Sequence, residues 1–226
     1  MKQRSLRALS AFALGIALVA PLLARAEPVP FTQEPFTDIP PNHEHYDAIE
    51  YLRKNNIIRG YADGTFKPNR RINRAELVQL ATNPFFFQGE KLNDCIKEHN
   101  LEEDRTIFYA DVAHDAWYAE EVCIATVKDL VDGYPDGTFK PGRAISFVET
   151  AKILANVFVL NVAEESTVWY EPYVRELGKR NAIPRSITTL NGVVTRGEVA
   201  EILYRLKTKT QNKSSKTYAD LQGRFE

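Results

Sequence analysis

Gly60-Tyr-Ala-Asp-Gly-Thr-Phe-Lys-Pro-Asn69 returns as Gly133-Tyr-Pro-Asp-Gly-Thr-Phe-Lys-Pro-Gly142, eight of ten residues identical at an offset of 73. A period of this size means that one supersecondary unit has been used more than once. The offset holds without a gap on both sides. Upstream, Phe36-Thr-Asp-Ile39 aligns with Tyr109-Ala-Asp-Val112, with Asp38 on Asp111; downstream, Ile72 falls on Ile145 and Glu76 on Glu149. A third copy is weaker. Trp117-Tyr118 matches Trp169-Tyr170 at an offset of 52, and the stretch from Ile145 to Leu154 matches Val194 to Leu203 at an offset of 49, so three residues are lost between, in the glycine-rich turn.

Each copy reads as helix, loop, helix. In the first, Tyr46, Ile49 and Leu52 recur at helical spacing, with Ile57 and Ile58 just past the end. The loop from Gly60 to Pro68 breaks the helix: Asp63-Gly64 is a turn pair, as is Asp136-Gly137 in the second copy, and Pro68 cannot continue a helix. The second helices open at Asn73-Arg-Ala-Glu76, Ser146-Phe-Val-Glu149 and Thr195-Arg-Gly-Glu198. All three are capping boxes, in which the first side chain accepts from the N3 amide and the glutamate reaches back to the cap. The glutamates are thereby explained without any function.

The 226 residues carry 29 Lys+Arg and 30 Asp+Glu and are 44% hydrophobic, the composition of a globular protein rather than a collagen, a coiled coil or a multi-span membrane protein. Residues 1–26 hold four basic residues and no acid: Lys2, Arg4 and Arg7 precede an apolar run from Ala8 to Leu23, and Ala24-Arg-Ala26 follows. That is the pattern of a secretory signal peptide, with an uncleaved membrane anchor as the alternative. The other 200 residues have a net charge of −5. Nucleic-acid binding needs clustered positive charge, so no nucleic-acid partner is expected, and no membrane partner once the signal is cleaved.

These residues resemble the S-layer homology family, modules that usually come in threes and hold exported proteins on the bacterial cell envelope. The resemblance rests on Phe36-x-Asp38 and Tyr109-x-Asp111 as repeat starts, on the two Gly-Tyr-x-Asp-Gly-Thr-Phe-Lys-Pro loops, and on Asn73-Arg-Ala-Glu76 and Thr195-Arg-Gly-Glu198 as versions of the family's Thr-Arg-Ala-Glu motif. It implies a mainly α fold, three helix-loop-helix repeats in a pseudo-threefold arrangement: repeat 1 over 27–83, an insert over 84–106, repeat 2 over 107–160, a degenerate repeat 3 over 161–206 and a polar tail over 207–226. It also implies a non-catalytic module that binds an acidic, pyruvylated cell-wall polysaccharide in grooves between repeats. Arg74 and Arg196, one residue after a cap, are the expected anion grips, because free helix amides and the macrodipole favour an anion there and guanidinium can hold a carboxylate with two bonds. Trp117, Trp169, Tyr61 and Tyr134 offer flat faces to a sugar ring, and Asp63, Asp136, Gly64 and Gly137 shape the groove. The second copy places Phe147 where Arg would stand, so its groove is expected to be weak. Glu44 stands where the later copies have Trp117 and Trp169. Other exported or surface-layer proteins are further candidate partners. A structural surface-layer protein with degenerate grooves is the first alternative, and an envelope carbohydrate hydrolase the second.

The insert contains Phe85-Phe86-Phe87, expected as core, and Cys95. Cys123 aligns with Glu50 and Arg175, which predicts an outward side chain. In an exported protein with one other cysteine this points to a Cys95–Cys123 disulfide, with two free thiols as the alternative. His43, His45, His99 and His114 are scattered; only His43-x-His45 could share a metal, and that pair, in a turn before a helix, is expected to be solvated instead, while Asp132 with Asp136-Gly137 lacks a calcium-loop ladder, so no metal or cofactor is expected. After Leu206 the Lys-, Thr- and Ser-rich stretch reads as a flexible tail, although Tyr218-Ala-Asp220 echoes Tyr109-Ala-Asp111 and could fill the slot of a repeat start.

Overall fold

The computed structural model describes residues 34–83, 85–86, 94–99, 105–163 and 166–223. The signal segment, Phe87 and much of the insert lie outside them. Eight helices are present among the described residues: α1 (Tyr46–Lys54), α2 (Arg74–Ala81), α3 (Cys95–Glu98), α4 (Ala119–Val127), α5 (Phe147–Val157), α6 (Glu171–Lys179), α7 (Arg196–Thr208) and α8 (Tyr218–Leu221). The fold is mainly α, and extended pairing among these residues is confined to isolated bridges.

In chain order the longer helices fall into three pairs, α1/α2, α4/α5 and α6/α7, called units below. The capping boxes form at Asn73/Glu76, Ser146/Glu149 and Thr195/Glu198, so three otherwise orphaned N3 amides are satisfied at the starts of α2, α5 and α7. Just before each box one residue joins a closed ring. Ile72 donates its amide to Val194 O (3.1 Å), Val194 to Ile145 O (3.0 Å), and Ile145 to Ile72 O (3.3 Å). All three side chains are buried. Helix packing runs around the same circle: α4 packs on α2, α6 on α5, and α1 on α7. The first helix of each unit therefore completes the hydrophobic core of its neighbour, and the chain closes by bringing its start against its end. Ile49, Leu52, Leu77, Phe147, Leu154 and Leu203 lie at full burial in this shared core.

Within a unit, the repeat start is tied to the loop by a carboxylate. Asp38 accepts from the amides of Phe66 (2.7 Å) and Lys67 (2.8 Å), and Asp111 from those of Phe139 (2.7 Å) and Lys140 (2.8 Å). The match to a tenth of an ångström follows from the 73-residue period. Gly64 and Gly137 sit at φ +78° and +76°, where a Cβ would be strained, which explains why both turns use Asp-Gly.

The structure corrects three expectations. Cys123 is fully buried, because α3 lies against α4; the Cys95–Cys123 disulfide is present, with Cα atoms 6.0 Å apart, although the inference from outward exposure fails. The aligned Glu50 shows why: it too is buried, and Arg53 holds it with two 2.8 Å bonds. Charge at an aligned position therefore does not report exposure. His45 is likewise buried, 3.6 Å from Glu201. Finally, the carboxyl-terminal segment is docked rather than loose. Tyr218 and Leu221 are buried, α8 packs on α6, the Lys216 amide donates to Ile183 O at 3.0 Å, and Arg175 lies 4.7 Å over the Tyr218 ring. Asp220 does not act as Asp38 and Asp111 do; it caps its own short helix through Thr217. Phe86 is core, as expected.

Candidate functional site

The joints between units bring the sequence-predicted residues together. At each, the first two amides of a unit's second helix donate into the loop of the next unit. Arg74 and Ala75 reach Arg143 O (3.0 Å) and Pro141 O (3.1 Å); Arg196 and Gly197 reach Arg70 O and Pro68 O (both 2.9 Å); Phe147 and Val148 reach Gly192 O (2.8 Å) and Leu190 O (3.2 Å). With the third amide held by the cap, no N-terminal amide of these helices is left for an external anion. That part of the expected anion grip is absent, because forming the joint uses the same donors.

The arginine side chains lie in two of the joints. Arg74 packs its guanidinium 4.7 Å over Phe139 and 5.2 Å over Tyr134, and donates to Asp132 O (2.5 Å). Arg196 repeats this at the other joint: 4.5 Å over Phe66, 5.2 Å over Tyr61, with bonds to Phe66 O (3.0 Å) and Arg59 O (3.1 Å). Burial pulls the pKa of both guanidinium groups down from its ordinary value. Arg74 is only 5% exposed and its Nε has no hydrogen-bond partner. A desolvated cation with an unused donor and, among the described residues, no carboxylate in contact is a costly arrangement that an anion would relieve. In the third joint Phe147 is fully buried, so there is no cation at that place.

Beside each buried arginine stands an exposed one that the sequence reading missed. Arg143, side chain 43% exposed, bonds both Glu149 and the Tyr134 hydroxyl; Arg70, 41% exposed, holds Glu76 at 2.7 Å. The signal was available, since Arg70 and Arg143 are themselves 73 apart. Tyr134 donates to Glu149 at 2.6 Å; burial and that hydrogen bond push its pKa up. The glutamates of two caps thus have a second task, holding a groove arginine.

The other expected residues distribute unevenly. Tyr134 carries Lys140 at 4.4 Å in addition to Arg74, and Tyr61 carries Lys67 at 4.0 Å and Arg196, so their rings are engaged by cations. Trp117 and Trp169 are 49% and 53% exposed and rest edge-on against Tyr118 and Tyr170; they supply open flat faces, but on the repeat starts. Asp63 and Asp136 each bind the backbone and hydroxyl of the threonine two residues on and pair with Lys67 (3.1 Å) or Lys140 (2.9 Å). These bonds bring both carboxyls down to about 2. They shape the loops. Cys95, His99 and Cys123 place three donor atoms within 4.8 Å of one another, but the two sulfurs are bonded together.

Repeated loops braced by an aspartate, capped second helices and a ring of joints define a repeat architecture. The S-layer homology domain model matches residues 35–78 and 108–151. It is similar to the middle cell wall protein of Brevibacillus brevis, 28% identical over 196 residues, 86% of this chain and 17% of that protein. It is also similar to a cellulosome-anchoring protein of Acetivibrio thermocellus, 32% identical over 119 residues, 53% of this chain and 25% of the relative. An exoglucanase of the same organism is 26% identical over 195 residues, 78% of this chain and 16% of the enzyme. The chain spans a quarter or less of these relatives. These matches place it at the cell surface; among the described residues no helix is long and apolar enough to cross a membrane.

Proposed function

We propose that this chain is a non-catalytic anchoring module that binds an acidic, pyruvylated cell-wall polysaccharide at the two arginine joints. One joint is Arg74, Tyr134 and Arg143; the other is Arg196, Tyr61 and Arg70. The observation that carries this is the buried guanidinium of Arg74, which has an unused Nε donor and an exposed Arg143 across the same tyrosine ring. A ketal carboxylate can take bonds from the exposed arginine in place of Glu149 while the buried one supplies positive potential. Residues 161–206 act as a diverged third repeat, whose helix α7 furnishes Arg196. The relatives named for anchoring support attachment; the exoglucanase is matched over a small part of its length, which fits a module shared with an enzyme rather than the enzyme itself.

Sedimentation with purified cell-wall sacculi tests this reading. The parent is expected to pellet with intact sacculi and to stay in solution once the secondary polymer is removed. Arg74→Ala with Arg196→Ala, and separately the exposed pair Arg70→Glu with Arg143→Glu, are each expected to weaken binding roughly tenfold or more, the size of a lost charge-assisted hydrogen bond. Circular dichroism checks folding of the first pair. Undiminished binding by both double variants would overturn the assignment; binding that survives polymer removal would favour a protein partner, and released sugar a hydrolase.

A further inference from the structure

α5, α6 and α7 end together around a cavity of about 470 Å³. α5 starts at the ring of joints and runs eleven residues to this cavity, so the two lie about 16 Å apart along that helix. The cavity is within the size range of small-molecule sites. One wall is apolar, from Phe86, Val157, Phe158, Leu160 and Leu206; the other is cationic, from Lys179, Arg180, Arg205, Lys207 and Lys209, and no carboxylate lines it. Behind that wall, Glu176 holds Lys179 and Arg180, and Glu201 holds Arg205. Lys207 rests on Phe85 O at 2.5 Å, and Lys209 has no carboxylate partner among the described residues. Five basic residues thus line the space, with two carboxylates behind them.

Favourable placement of bases at helix C-termini accounts for part of this charge, but not for the lip of the cavity. Each of five helices is followed by a residue in the left-handed region: Asn56, Asp129, Val159, Asn181 and Lys209. Asparagine and aspartate suit that conformation, whereas a β-branched residue is an outlier there. Val159 adopts it at φ +48° while 81% exposed, directly on the cavity. An apolar side chain is thus held in an unfavourable conformation and in water beside an apolar wall, as strained residues at ligand sites are.

We infer that this cavity binds a free single-chain amphiphile with an anionic head, of the fatty carboxylate class. The chain lies on Phe158, Val159 and Leu160, and the head meets Lys209 and Lys179. The test uses the full chain and displacement of 1-anilinonaphthalene-8-sulfonate fluorescence by dodecanoate below its micellar concentration. Saturable displacement at one site per chain is expected. Lys209→Glu should weaken dodecanoate about tenfold, and Val159→Asn should weaken it while leaving the melting temperature unchanged or higher, since asparagine fits the left-handed position. Dodecyltrimethylammonium should compete poorly. Equal competition by that cation, equal binding by both variants, or binding only to phosphatidylglycerol vesicles and not to soluble dodecanoate would each overturn the inference.

Discussion

Glu201 is the residue on which one end of the chain meets the other. It is 1% exposed and bonds Arg205 at 2.7 Å, with Lys213 at 3.2 Å and His45 at 3.6 Å, so α1, α7 and the carboxyl-terminal segment converge on one carboxylate. Burial opposes its ionisation, but the hydrogen bond from Arg205 and the close approach of His45, Arg205 and Lys213 prevail and hold its pKa at about 2. The folded value lies below the unfolded value of about 4.3. Its contribution is therefore complete above that pH and is lost as pH falls towards 2. Glu201→Gln should cost about 3–5 kcal/mol at neutral pH, the cost of leaving Arg205 buried without its partner, and should flatten the loss of stability between about pH 4.3 and 2; urea titrations across that range measure both.

At the scale of elements, the capping boxes and the disulfide secure the pieces that form the joints. Thr195→Ala removes the acceptor for Glu198 N (3.2 Å) and should cost about 1 kcal/mol, a drop in melting temperature of roughly 2–4 °C. The disulfide ties α3 to α4 across a 28-residue separation. Replacing both cysteines by serine should cost about 3–4 kcal/mol by the chain-entropy account, read from chemical denaturation of parent and variant under non-reducing conditions. The helices, loops and caps were legible because they are local. A cap, its glutamate and an Asp-Gly turn are set by neighbours within a few residues, and the 73-residue period made each such signal appear twice. The cysteine pair was legible from cysteine count and export signal, while the burial of Cys123 was not, since exposure depends on which element lies above it.

Across the whole molecule, closure of the ring makes the units interdependent: α1 has its partner in α7, and Ile72 its acceptor in Val194. The docked segment beyond α7 extends this closure by burying Tyr218 and Leu221 against α6. Truncation after Thr210 should therefore cost about 3–5 kcal/mol, the burial of two large side chains, and lower the melting temperature by roughly 10 °C; a truncated chain that melts with the parent would show the segment to be dispensable.

The sequence by itself determined the repeat, its helix-loop-helix content, the caps, the turn glycines, the cysteine pair and the resemblance to S-layer homology domains, because each is written in residue types at short or periodic spacing. Only the tertiary structure decided what those residues face. It turned Arg74 and Arg196 from helix-start charges into buried cations over the next unit's aromatic rings, used up the helix amides in the joints, exposed Arg70 and Arg143 beside them, and folded a polar tail onto α6. The physical reason is that burial and hydrogen bonding at these positions come from residues 58 to 137 positions away, as in Arg74 with the Asp132 carbonyl and Arg196 with the Arg59 carbonyl, and a one-dimensional pattern carries no term for such contacts.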